Sequence, residues 1–228
     1  MISRLVVVPH PPLLVPELVS GAAAETEPVR SACLAAARDL AAHAPDWVAV
    51  GVDPSGPSVL DHATGTFRGF GADVRVSLSV DADPTPDPDL PLPALVAAWL
   101  RDRSGARSVR VHLVPPDFSA ADCAALGARL AGSPALLVLG DGSHRRGEHA
   151  VGRPDDRAEP FDEDIHKALA TADTAALRAL DPALAAELGA LGRAAWQVAA
   201  GVPGAWRCTR SAFLAPFGVG YHVAVWEA

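Results

Sequence analysis

The chain has 228 residues, half of them hydrophobic, enough to bury a large core and too apolar for disorder as a whole. Its formal charge of −8 supplies no basic field for phosphate contacts, which excludes nucleic acid as a main partner. No run of about 18 uncharged apolar residues occurs, so no membrane span and no membrane partner are expected. The first residues lack the basic stretch and cleavage site of a signal peptide. Cys33, Cys123 and Cys208 are odd in number and far apart, which gives neither a disulfide framework nor a CxxC zinc site and suits a reducing cytoplasm.

Ile2–Val8 is a short apolar run bounded by proline and reads as a buried strand. His10 follows it, fenced by prolines. Glu27–Ala44 reads as a helix with Pro28 near its first position, its apolar residues Val29, Cys33, Ala36 and Leu40 recurring at three- and four-residue steps. Trp47–Val52 is a second buried strand ending in the turn-rich "DPSGPS", and "GADVRVSLSV" alternates as a half-buried strand should. "DADPTPDPDLPLP" is a proline-rich surface connector before a helix over Pro93–Arg103. "ARSVRVHLVPPD" is a further strand, after which Asp117 or Ser119 can cap a helix over Ala120–Ala131. "SPALLVLGDGSH" is a strand with a glycine turn, followed by the polar, irregular "RRGEHAVGRPDDRAE". Short helices over Phe161–Leu169 and Thr174–Leu180 precede one long helix from Asp181 to Gly201, with Asp181 as its cap and Pro182 at its first position. The apolar spacing of that helix turns Trp196 and Val198 inward. The last segment reads as two strands joined at Pro216–Gly218. The pattern predicts an α/β fold of one domain: a mixed, mostly parallel central sheet flanked by helices, closed by an antiparallel carboxyl-terminal hairpin.

In open α/β sheets, ligands bind outside the carboxyl ends of the strands. His10 follows the first strand, Asp53 the second with His62 in the same loop, Asp117 the "VRVHLV" strand, and Asp141 and His144 the "ALLVLG" strand. Asp and His are the side chains that bind metals or move protons, although Asp also makes turns. The turn role is preferred for Asp53 and Asp117, and a shared site for His10, Asp141 and His144. His112, inside a strand, reads as a packed or edge histidine, and His43 suits a helix carboxyl terminus. His149 and His166 read as solvated, while His222 can face either way.

"VVVPHPPLLVPE" resembles the opening of class III extradiol dioxygenases of the LigB type and of the related Memo proteins. "LGDGSHRRG" is similar to that family's later loop, and "DHATGTF" to the LigB loop that carries a second histidine. "EPFDEDIHKALATADTAALRALD" and "LGRAAWQVAAG" resemble its later segments, so the likeness runs in order over nearly the whole chain. The resemblance implies one LigB-like domain over residues 1–228. It also implies His10 and His62 as metal ligands, His144 as acid/base beside the metal with Asp141 three residues before it, and a small aromatic substrate. A homodimer is the oligomeric state it suggests. In the family two His and one carboxylate hold Fe(II) on one face and leave open positions for a catecholate and O2. Here the third ligand falls at Leu191 or Gly192, neither of which can bind metal. Glu187, one turn upstream, reads as a solvated helix residue, and a glutamate placed at 191 would restore the anionic ligand. Two readings follow. One is a ring-opening dioxygenase using Fe(II) or another divalent metal, weakly bound and with no organic cofactor. The other is a degenerate relative that binds a small molecule or partner protein in the same cleft.

Overall fold

The computed structural model describes residues 2–21 and 23–228. In chain order they form β1 (Arg4–Val8), α1 (Ala23–His43), β2 (Asp46–Val52), β3 (Ser58–Leu60), β4 (Thr64–Thr66), β5 (Arg75–Ser77) and β6 (Pro86–Asp87). Then come α2 (Leu92–Ser104), β7 (Ser108–Val114), α3 (Ala120–Leu130), β8 (Leu136–Leu139), α4 (Ala158–Ala170), α5 (Thr174–Arg178), α6 (Pro182–Glu187), α7 (Arg193–Ala200), β9 (Arg207–Leu214) and β10 (Tyr221–Glu227). Seven strands make the main sheet in the order β3-β7-β2-β8-β1-β10-β9. Its four central strands run parallel, while β3 on one edge and the β10–β9 hairpin on the other run antiparallel. The chain is therefore an α/β protein with a mixed sheet and a closing hairpin, as its pattern predicts.

Both faces of the central sheet are covered, which is why its strands read as nearly continuous apolar runs. Val6 and Val8, Leu137 and Leu139, and Val223 and Val225 pack towards α1 and α2. Leu5 and Val7, Leu136 and Val138, and Ala224 and Trp226 point the other way, towards α3, α4 and α7. The period of two along each strand thus sorts the core into two layers. No described helix is long and apolar enough to cross a membrane.

Local chemistry explains most boundaries. Ser119, not Asp117, caps α3 by accepting from the Asp122 amide, and Asp181 caps α6 by accepting from the Ala183 amide. Helix α1 begins at Ala23, a turn before its expected start, so Pro28 lies inside it. "GADVRVSLSV" forms only the three residues of β5, in a small separate sheet with β4 and β6. The expected long helix from Asp181 to Gly201 is two helices. It breaks at Gly189, whose φ of +66° lies in the left-handed region that ends helices, and the chain restarts at Arg193. Trp196 and Val198 are fully buried in α7, as the spacing predicts. Trp196→Ala should therefore cost about 3–5 kcal/mol, measured as a lower midpoint in denaturant unfolding.

Candidate functional site

Strand pairing brings the first two site residues together. β1 and β8 are parallel neighbours with Val8 opposite Leu139, and the Gly140 amide donates to the Val8 carbonyl. The two chains therefore leave the sheet side by side at its carboxyl end. The His10 amide donates to Asp141 Oδ1 at 2.8 Å. The His10 ring is buried, with Nδ1 lacking a hydrogen-bond partner and lying 3.8 Å from that same oxygen. Asp141 also faces the α1 side of the sheet. Burial, followed by the Asp141 charge, pushes the Tyr221 phenol up, and the same pair of causes pushes the Cys33 thiol up. Both stay protonated near neutral pH, so neither is a nucleophile there.

His144 leaves the same turn but faces another way. Its Nδ1 stands 2.9 Å from the Val151 carbonyl, and because a carbonyl only accepts, Nδ1 carries the proton. The ring lies against Gly189: a methyl group there would collide with Nε2. The structure thus joins His10 to Asp141 and turns His144 towards the bend between α6 and α7.

His62 lies elsewhere. β3 runs antiparallel to β7 and carries the chain back towards the amino ends of the parallel strands. His62 there lines a cleft of about 280 Å³ with Asp46, Ser108, Arg110 and Ser133. Those residues begin β2 and β7 or precede β8, so His62 and His10 stand at opposite ends of the sheet. This corrects the expectation that the two share a metal. The other donors near the expected third ligand do not converge on His10 either. Leu191 is half exposed and lines a small cleft with Pro116, Pro182 and Arg193. A Cβ on Gly192 would strike the Trp196 ring. Glu187 makes a surface ion pair with Arg157 at 2.8 Å, and Asp53 accepts from the Ser55 amide in its own turn. Among the described residues, no three His, Cys, Asp or Glu side chains gather closely enough to hold a metal ion. The described donors thus do not form the facial triad that the resemblance implies.

Beneath the 140–146 turn lies a second polar cluster, on the opposite face of the sheet from Tyr221. Asp162 of α4 and His222 of β10 are both fully buried. Asp162 Oδ1 accepts the Ser143 amide at 3.0 Å, and Oδ2 accepts from Arg146 at 3.4 Å. The Arg146 guanidinium also sits over the Phe213 ring. His222 Nε2 stands 3.5 Å from Asp162 Oδ1, and neither ring nitrogen has a hydrogen-bond partner. The His222 ring packs against Phe213, Trp196 and His166. His166, expected to be solvated, is therefore partly buried. Its Nδ1 is unpartnered, and burial, then the neighbouring His222, holds its pKa below the usual histidine value. Sequence reasoning missed Asp162. The available signal was its place in the apolar stripe of Phe161, Ile165 and Leu169, where an aspartate needs a partner.

No family model matches the chain, and no curated protein matches it. The crystal structure of an uncharacterised Escherichia coli K12 protein, JW3007, is similar over 99% of this chain and 100% of its own, with a TM-score of 0.53 and 13% identity. At that identity the likeness shows the fold alone.

The contact between His144 and Gly189 makes Gly189→Ala a direct probe. Left-handed φ and the collision add, so the substitution should cost more than about 1 kcal/mol and shift the His144 ring resonances in NMR spectra. The histidines also set an acid limit. Burial, followed by Arg110 and Arg129, lowers the His112 pKa. The unfolded chain takes up its proton near about 6.5 and the folded chain only at lower pH. Stability should therefore fall as pH drops through about 6.5. His112→Gln should flatten that slope in denaturant midpoints measured across the range.

Proposed function

We propose that this chain is a relative of the LigB and Memo proteins that binds a small molecule at the carboxyl end of its sheet without a ring-opening iron centre. The observation that carries this reading is the junction of His10 and Asp141. The two strand ends are tied by one 2.8 Å hydrogen bond, and they hold a buried imidazole whose Nδ1 has no partner. An imidazole so placed can donate to or accept from a bound oxygen or nitrogen group, and the Asp141 carboxylate beside it favours a donor on the ligand. An aromatic ligand is the class that the resemblance suggests.

The opening motif supports membership of that superfamily, and the His10–Asp141 pairing is consistent with it. The degenerate reading is preferred over the dioxygenase because the other donors are dispersed. His62 is at the far end of the sheet, and Glu187 is engaged with Arg157. Restoring a carboxylate at the position expected from sequence should not rebuild the site, because Leu191 opens onto the cleft beside Pro116.

Anaerobic titration of the whole chain with Fe(II) should give no saturation at micromolar iron, and Leu191→Glu should leave that result unchanged. Oxygen uptake with catechol should stay at the level of the protein-free control. In a screen of phenols and aromatic acids by ligand-observed NMR, any binder should lose affinity in His10→Ala and in Asp141→Asn. Stoichiometric iron binding with oxygen uptake would overturn the reading in favour of the dioxygenase. Binding indifferent to both substitutions would move the site elsewhere.

A further inference from the structure

Asp162 has no place in the reading above, yet it is a fully buried carboxylate, and such a group persists only where its charge is answered. What answers it is the turn that carries Asp141 and His144. Oδ1 takes the Ser143 amide and Oδ2 takes Arg146. Two glycines let the carboxylate come this close. A Cβ on Gly142 would sit 2.5 Å from Oδ1 and 3.0 Å from His222 Nε2, and a Cβ on Gly220 would strike Oδ2. The carboxylate is thus wedged between two bare stretches of backbone. The turn is tied down further by Ser143 Oγ, which donates to the Leu188 carbonyl and accepts from the Arg145 amide.

The second observation concerns His222. Among the described residues, the buried side-chain polar atoms without a partner include both His222 nitrogens, His166 Nδ1 and Trp196 Nε1. All belong to one set of packed rings. The acceptor facing His222 Nε2 is Asp162 Oδ1, at 3.5 Å with no hydrogen bond formed. This oxygen is the one that holds the Ser143 amide.

We propose that Asp162 is the positioning residue of the 141–146 turn and that proton uptake by His222 resets its grip. With His222 neutral, Oδ1 is engaged by the Ser143 amide. When His222 takes a proton from solvent, Nε2–H becomes a charged donor to Oδ1. Closing the 3.5 Å gap to a charge-assisted hydrogen bond of about 2.8 Å draws the carboxylate towards β10 and away from Ser143. His144 follows Ser143 directly and Asp141 lies two residues before it, so they move with it. The charged and titratable groups facing the pair are Arg146 from the turn, His166 from α4, and Glu159 through its 3.9 Å contact with Arg146. Phe213 and Trp196 close the remaining sides with neutral rings. The backbone packed against the carboxylate at Gly142 and Gly220 leaves room for only a small displacement, and a hydrogen bond is sensitive to a few tenths of an ångström.

The test is an NMR pH titration of the whole 15N-labelled chain between about pH 5 and 8, following the His222 ring nitrogens and the Ser143 amide. Neither metal nor substrate is added, so this result and the ligand-binding result fail independently. In the wild type the Ser143 amide should shift with the His222 midpoint. In His222→Phe, which keeps a ring of similar size, the Ser143 shift should vanish. His166→Gln should leave the Ser143 shift in place, which separates His222 from its neighbour. In Asp162→Asn the Ser143 response should shrink, because the oxygen that links the His222 ring to the Ser143 amide is changed. Should that variant not fold, His222→Phe and His166→Gln decide alone. A His222 ring that does not titrate in this range overturns the proposal. So does a Ser143 amide that ignores the His222 midpoint, or one whose titration survives in His222→Phe.

Discussion

The turn after β8 runs through a space that admits backbone and almost no side chain, and much of the carboxyl end of the sheet is arranged around it. A Cβ on Gly140 would stand 2.5 Å from the Gly192 Cα. On either side the turn is held by main-chain hydrogen bonds. Gly140 donates to Val8, Gly142 to Gly220, Gly220 to Ser143, and Gly192 to Asp141. β1, the residue before β10 and the bend before α7 therefore all dock on the same four residues, Gly140 to Ser143. Glycine at 140 and 142 is needed for this close approach, not for backbone conformation, since neither residue has a positive φ.

This arrangement separates two acidic side chains by the thickness of the sheet. Asp141 faces α1 and receives the His10 amide, whereas Asp162 faces the turn from α4 and receives the Ser143 amide. Each carboxylate is satisfied first by backbone N–H, which costs no side-chain entropy. Their histidine partners differ accordingly. His10 sits buried at a strand end, while His222 is enclosed by aromatic rings. The same pairing of residue types thus joins two strand ends on one face and is packed among aromatic rings on the other.

The layered fold was legible because burial on both faces leaves a simple signature: apolar runs between helices with apolar spacing. The cap at Asp181 was legible from local chemistry, and Ser119 was one of two candidates there with Asp117. The long carboxyl-terminal helix was misread because a left-handed glycine and an ordinary helix glycine look alike in sequence. Only the demand of His144 for space at Gly189 separates them. Asp162 was hidden because its partners come from residues 143, 146 and 222, which no local pattern links. His10, Asp141 and His144 could be grouped in advance because each follows a strand, but that β1 and β8 are neighbours, which joins His10 to Asp141, is visible only in the sheet.

His62 shows where that logic stops. It shares a loop with Asp53 in sequence, and position after a strand places a residue at the carboxyl end only while the chain stays there. Ser58 does stay, since it pairs with Leu113 near the end of β7. From Ser58 the short antiparallel β3 then runs back along β7, Leu60 reaching Val111. His62 lies two residues beyond Leu60, in the cleft lined by Asp46, Ser108 and Ser133 at the amino ends of the parallel strands. A three-residue edge strand is too short to leave a period-two signature, and its residues Ser58, Val59 and Leu60 read equally well as loop. The direction of that strand, which sequence does not display, decides whether the second histidine joins the first. It leaves His10 with Asp141, and not with another imidazole, as its polar companion at the strand ends.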